Sequence, residues 1–185
     1  MTTVKMQGWN RSMVWQDTGL RWHPTSPNIP YATSPFYYVA TGILGGAAAV
    51  DVGIGSDNPF GYAGGSGVNP GALLAASQRW NTPGVRFSPY SREGFGGVKL
   101  HIDPRNSTDL TGLDVMLLAE INRLTGGKAV RGMNGSKLNL FNKVFGSESL
   151  HRDLLRGTPG PVIASRWQGW VQSFRSQRQG FLLYA

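Results

Sequence analysis

Gly97-Val98-Lys99-Leu100-His101-Ile102-Asp103 alternates strictly, with Val98, Leu100 and Ile102 on one side and Lys99, His101 and Asp103 on the other. A period of two marks a strand with one buried and one wet face. The text that follows changes period. Leu113, Leu117, Ile121 and Leu124 recur at helical spacing, Thr111 and Asp114 form a capping-box-like start, and Gly126-Gly127 closes the element. Upstream, Gly84-Val85-Arg86-Phe87 predicts a second strand. Asn69-Pro70 supplies an N-cap and a first-turn proline before Ala72, Leu73, Leu74, Ser77 and Trp80, a short amphipathic helix. Phe36-Tyr37-Tyr38-Val39-Ala40 is β-prone and predicts a strand running into the Gly-rich turn Thr41–Gly46, after which residues 46–68 are mostly small.

Downstream the pattern is helical. Leu138 to Phe145 reads as a helix ending at Gly146, and Ser147 as the cap of another through Leu150, Leu154 and Leu155 to Gly157. Thr158-Pro159 opens a last helix with Ile163, Trp167, Trp170 and Phe174 on its core stripe and Arg166, Arg175 and Arg178 outside it. Phe181-Leu182-Leu183-Tyr184 ends the chain as a strand or apolar tail. Strands come early and helices late, without regular βα alternation, so the fold class is α+β: a small antiparallel or mixed sheet covered by helices.

Residues 1–35 read differently. Pro24, Pro27, Pro30 and Pro35 accompany Trp9, Trp15 and Trp22 with almost no helical period, which predicts an extended Pro/Trp-rich arm ahead of a folded domain at 36–185. An arm this aromatic packs on its own domain or docks onto something else.

Composition limits the chemistry. Across 185 residues, 40% hydrophobic and 15% charged content requires a real core. With 26 Gly and 11 Pro, irregular loops cover much of the surface. Zero cysteines exclude disulfides, thiolate metal sites and Cys nucleophiles. A net charge of +8 favours acidic partners. No apolar run spans a bilayer, and Thr2 to Trp9 lacks the basic flank and apolar stretch of a signal peptide.

No pair of carboxyls stands out as acid and base. Asp114, Glu120, Glu148 and Asp153 fall on helices and read as solvated or capping; Asp17, Asp51, Asp57 and Asp103 read as turn formers. His23, His101 and His151 have no metal-ligand spacing, so neither a metal nor a cofactor is assigned. Gly53-Ile54-Gly55-Ser56-Asp57-Asn58-Pro59-Phe60 lacks the Lys-Ser/Thr ending of a phosphate loop, but its glycines let backbone approach a sugar or another chain. The indoles of the arm suit docking or sugar stacking. The C-terminal arginines lack aromatics interleaved on their own face, and nucleic-acid binding rests on charge alone.

In order along the chain, Trp15–Trp22 with its D-T-G-L segment, Ser26-Pro27-Asn28-Ile29-Pro30, Tyr38–Gly42, Gly53-Ile54-Gly55 with Pro59-Phe60, Pro83–Phe87, Gly97–Ile102 and Phe174–Tyr184 resemble the NamZ-like exo-β-N-acetylmuramidases. The resemblance implies the C-terminal domain of a two-domain glycosidase that releases terminal N-acetylmuramic acid from peptidoglycan fragments. The family's catalytic Glu sits in a Rossmann-like N-terminal domain, so it implies no catalytic residue here and a chain inactive alone. The implied partners are that N-terminal domain, in the same or a separate chain, and a peptidoglycan-derived glycan; the implied location is the cell envelope or outside the cell. Trp22, Ser26, Asn28, His101, Gly53, Gly55, Ser56 and Phe60 become candidate cleft residues, and Trp9, Trp15 and Asp17 candidate docking residues. Over Gly45–Asn58 the chain departs from many members, with Gly46, Val52, Ile54 and Asn58 where they have acidic residues and an Arg. The rival reading is a non-catalytic structural or binding subunit that kept the fold.

Overall fold

The computed structural model describes residues 2–92, 94–107 and 109–184. Strands β1 (Val50–Asp51), β2 (Tyr62–Ser66), β3 (Val85–Arg92) and β4 (Phe95–Ile102) form one sheet in the order β1-β2-β4-β3, every pair antiparallel. Helix α1 (Ser34–Thr41) precedes the sheet and α2 (Pro70–Arg79) lies between β2 and β3. Then follow α3 (Leu110–Leu124), α4 (Gly135–Phe145), α5 (Ser149–Leu155), α6 (Gly160–Ser165) and α7 (Gln168–Gln177). The class is α+β, with an antiparallel sheet and helices over one face. Among the described residues no helix is long and apolar enough to cross a membrane.

The two-faced strand is central. Val98 and Leu100 of β4 are fully buried in one cluster with Leu113, Leu117 and Ile121 of α3. Each such side chain contributes about 1.5–3 kcal/mol of burial. Close approach depends on glycines facing the helices. A Cβ on Gly65 would lie 2.8 Å from Ile121 Cγ2, and one on Gly96 would collide with the Val68 carbonyl oxygen just ahead of α2. Pro89 is tolerated in β3 because β3 is an edge strand.

Helix α2 starts as predicted: the Asn69 side chain accepts from the Ala72 amide at 3.0 Å, with Pro70 in the first turn. For α3 the cap is Asp109, which accepts from the Gly112 amide at 2.9 Å, rather than a box on Thr111. Helix α4 ends at Gly146 with φ 82°, where a side chain would be strained.

Two element assignments are corrected. Phe36–Ala40 is helical, not a strand. Pro35 sits in the first turn of α1, the Ser34 hydroxyl accepts from the Tyr31 amide at 3.0 Å, and Ala40 and Thr41 are buried as α1 packs on α3, so tertiary packing overrides β propensity. The small-residue stretch 46–68 contains β1 and β2. The last helix is broken at Arg166-Trp167 into α6 and α7, and its stripe does not continue inward, since Ile163 is buried while Trp170 and Phe174 are exposed.

Two carboxyls read as solvated or capping are buried. Asp153 pairs with Arg166. Asp114 is fully buried in α3 and accepts from the amides of Ile43 (2.8 Å) and Leu44 (2.9 Å), fastening the short 3-10 turn Leu44–Gly46 to the helix. Burial raises this carboxyl from 3.8 to about 7, against the two amides that favour its charged form. Between those values the native state holds a proton that the unfolded chain has released, so stability falls as pH rises through this window. Denaturant unfolding at pH values spanning it will show that slope. Asp114→Asn will flatten it and cost about 1–3 kcal/mol, because the carboxamide leaves one of the two buried amides without an acceptor.

Candidate functional site

The sheet face turned away from the helices carries the chemistry. Register places Asp51, Tyr62, Gly64, Gly97, Lys99 and His101 on this face, joined from the edge strand by Arg86, Ser88, Tyr90 and Arg92. Asp51 is its organiser. One carboxylate oxygen accepts from the Tyr90 hydroxyl at 3.0 Å; the other accepts from Arg92 Nη2 at 3.3 Å and from the Gly53 amide at 2.8 Å. Burial, then the adjacent Asp51 carboxylate, pushes the Tyr90 hydroxyl well above the ordinary tyrosine range, so it remains a donor. Tyr62 stands edge-on to Tyr90 with centroids 4.8 Å apart, and Lys99 Nζ lies 5.4 Å from the Tyr62 ring centre. One step along, His101 Nε2 and the Ser88 hydroxyl are 2.9 Å apart.

The loop from Val52 to Gly61 borders this face. Gly53 has φ 82°, and the Tyr62 ring occupies the space a side chain would need, so the loop lies flat against the tyrosine only because residue 53 is glycine. The Ser56 hydroxyl donates to the Gly53 carbonyl (2.7 Å) and accepts from the Asn58 amide (3.1 Å). Gly55 is open to solvent. The Phe60 ring meets Tyr38 edge-on at 4.8 Å, and its carbonyl accepts from Thr41 Oγ1 at 2.8 Å, tying the loop to α1.

Of the cleft candidates, Gly53, Gly55 and Ser56 sit beside the open face and His101 on it, whereas the Phe60 ring packs on Tyr38 of α1 and against the core. Trp22, Ser26 and Asn28 bond within the arm. Trp22 Nε1 donates to the Ile29 carbonyl at 3.3 Å, and the Ser26 hydroxyl accepts from the Asn28 amide at 3.2 Å. Among the docking candidates, Trp15 meets Trp22 edge-on at 5.3 Å, Asp17 pairs with Arg105 beyond the end of β4, and Trp9 meets Tyr184 edge-on at 4.8 Å. The Arg105 guanidinium holds the exposed Asp17 carboxyl below the ordinary range.

Sequence reading missed Asp51, Tyr62, Tyr90, Arg92 and Lys99 as a group. The signal lay in parity: Arg86, Ser88, Tyr90 and Arg92 alternate along β3, but Pro89 hides the continuation beyond Phe87. Asp51 does form the turn read for it, and also the ion pair.

The face suits binding. It offers phenol rings, a lysine, arginines and a glycine-rich rim, whereas its best-held carboxylate already accepts from three donors. Elsewhere Glu120 pairs with Arg123, and Asp103 closes its own turn by accepting from Arg105 and Asn106. Among the described residues no three His, Asp or Glu side chains converge to hold a metal ion. A cavity of about 290 Å³ between the end of α3 and the α5–α6 connection lies on the helical side, away from this face.

Residues 36–184 match the family profile described as exo-beta-N-acetylmuramidase NamZ, C-terminal. The chain belongs to the NamZ family. Residues 1–33 match the companion profile, exo-beta-N-acetylmuramidase NamZ, N-terminal. The whole chain is 27% identical to the peptidoglycan beta-N-acetylmuramidase NamZ of Bacillus subtilis, covering 45% of that protein. It also superposes on the crystal structure of a DUF1343 family protein from Bacteroides fragilis with a TM-score of 0.85 and 29% identity, over 98% of this chain and 50% of that one. The chain thus spans about half the length of the relatives it matches.

Asp51→Asn will cost about 1–3 kcal/mol in denaturant unfolding, because a carboxamide cannot accept from Tyr90, Arg92 and Gly53 together. Hydrogen exchange at the Gly53 amide will accelerate in the same variant; unchanged exchange would refute the anchoring role.

Proposed function

We propose that this chain is the glycan-binding C-terminal part of a peptidoglycan exo-β-N-acetylmuramidase, walling the substrate cleft while the catalytic acid is supplied by the N-terminal domain of the family. On this reading residues 1–35 are the arm from that domain and 36–185 the auxiliary domain, inactive alone. The enzyme works in the cell envelope or outside the cell.

The observation that carries the reading is the open sheet face. Sugars present apolar ring faces and many hydroxyls, and the Tyr62 ring with the Ser88–His101 pair offers partners for both. N-acetylmuramic acid adds a lactyl carboxylate; Lys99 Nζ lies 5.4 Å from the Tyr62 ring centre, and Arg86 is paired opposite His101. The flat Gly53–Phe60 rim lets a bulky disaccharide reach the strands. The acetal chemistry needs two carboxyls about one bond; on this face Asp51 is held by three donors, and the exposed Asp57 on the rim accepts from the Tyr62 hydroxyl at 3.4 Å. A division of labour between two domains agrees with the match to the C-terminal profile.

The test uses the full-length enzyme acting on muramic-acid-terminated fragments. A charged hydrogen bond is worth roughly 1.5–3 kcal/mol, so Lys99→Ala will lower kcat/KM by about ten- to a hundredfold. His101→Ala will lower it as well, while both variants keep the wild-type melting temperature. Wild-type kinetics in both, and in Trp22→Ala with Asn28→Ala, would remove this chain from the cleft. The 185-residue chain alone will release no muramic acid.

A further inference from the structure

Helix α7 and the segment after it are held unlike the rest of the molecule. Neither α7 nor the 3-10 turn Arg178–Phe181 contains a buried residue. Trp170 is 69% exposed, Phe174 47% and Phe181 83%. Trp170 and Phe174 lie parallel with centroids 5.5 Å apart, so part of their shared surface is hidden by each other and the remainder faces outward. Helix α7 has ten residues, whereas isolated helices shorter than about 12–15 residues are marginal in water. Its tethers to the domain are few: Gln168 donates to Asp109 at 3.0 Å, and Trp167, just ahead of it, meets Phe145 at 6.3 Å. A ten-residue helix with its aromatics outward has the form of half an interface.

The far end of this segment meets the arm. The Tyr184 hydroxyl accepts from the Met6 amide at 2.7 Å, the Arg11 guanidinium donates to the Tyr184 carbonyl at 3.0 Å, and the Trp9 ring stands on Tyr184. Next to them a cavity of about 590 Å³ is lined by Met6, Trp9, Met13, Trp15 and Leu20. The arm is the stretch that matches the N-terminal NamZ profile. Both relatives carry about as much chain again as this one. The arm at Met6–Arg11 lies against Tyr184.

We infer that the outward aromatic face of α7 and its 3-10 extension, Trp170, Phe174 and Phe181, is the seat of the N-terminal NamZ domain, whose last residues are the arm. The inference rests on the two-domain reading above. Arg175 and Arg178 border the aromatics and call for an apolar surface with acidic residues at its edge on the partner. Docking on this tail uses residues other than those of the open sheet face.

Hydroxyl-radical footprinting, read by mass spectrometry, compares the full-length protein with the 185-residue chain. Trp170, Phe174 and Phe181 will oxidise about threefold or more slowly in the full-length protein, as expected for residues moved from solvent into the dry centre of an interface. Equal oxidation in the two proteins overturns the inference. So does protection that grows with the concentration of the 185-residue chain, which would mark a second copy as the occupant, or protection seen only with anionic vesicles. A double variant, Trp170→Ser with Phe174→Ser, will split the calorimetric unfolding of the full-length protein into separate transitions and leave the 185-residue chain's melting unchanged. The outcomes separate the two proposals. A protected patch with a fully active Lys99→Ala enzyme sinks the cleft reading alone; an unprotected patch with an inactive Lys99→Ala enzyme sinks the docking alone.

Discussion

Everything in this fold is arranged around two glycine pairs at the centre of the sheet. Gly64 faces Gly97 and Gly65 faces Gly96 across the β2–β4 ladder. The pairs point to opposite sides. Gly65 and Gly96 leave room for Ile121 of α3 and for the chain entering α2, while Gly64 leaves room for the Tyr90 hydroxyl on the other face. Side chains at these places would push the helices off one face and the tyrosine off the other. The same constraint thus sets the thickness of the core and the depth at which Asp51 and Tyr90 meet.

That arrangement explains which parts could be read in advance. The alternation of Gly97–Ile102 and the helical spacing of Leu113, Leu117, Ile121 and Leu124 are local patterns, and the strand and helix they predict are present. Asn69-Pro70 is a local signal too, and α2 begins there. Failures came where the deciding partner is distant. Phe36–Ala40 has strand propensity, yet Asp114, some seventy residues away, bonds the amides following α1 and draws that segment onto α3. Asp114 itself reads as a solvated or capping helix position because its two donors, the amides of Ile43 and Leu44, are invisible in its own neighbourhood. The apolar spacing of Ile163, Trp167, Trp170 and Phe174 is real, but it says only that a face is apolar, not what covers it.

The site was partly legible for the same reason. His101 could be singled out because its strand alternates, and the Gly53–Phe60 loop because glycine permits close approach. Asp51, Tyr90 and Arg92 lie on strands at opposite edges of the sheet, brought together by an order, β1-β2-β4-β3, that no local pattern states. Tyr62 and Lys99 join them only through register. A face built across a sheet is read from pairing, and pairing is the last thing a sequence discloses.

The surfaces of the molecule divide accordingly. One sheet face is sealed by helices and needs nothing further. The other is polar and ordered by its own hydrogen bonds, with the Asp51 side chain already committed to three donors, the kind of preformed surface that costs a ligand little reorganisation. The aromatic tail is the opposite case: it is apolar, contributes nothing to the core, and is joined to the arm through Tyr184. Polar preorganisation serves a ligand that comes and goes, while exposed aromatic area is tolerable when its cover is permanent. Two surfaces of such different character on one small domain fit the two partners proposed above, a glycan on the sheet and the N-terminal NamZ domain on the tail.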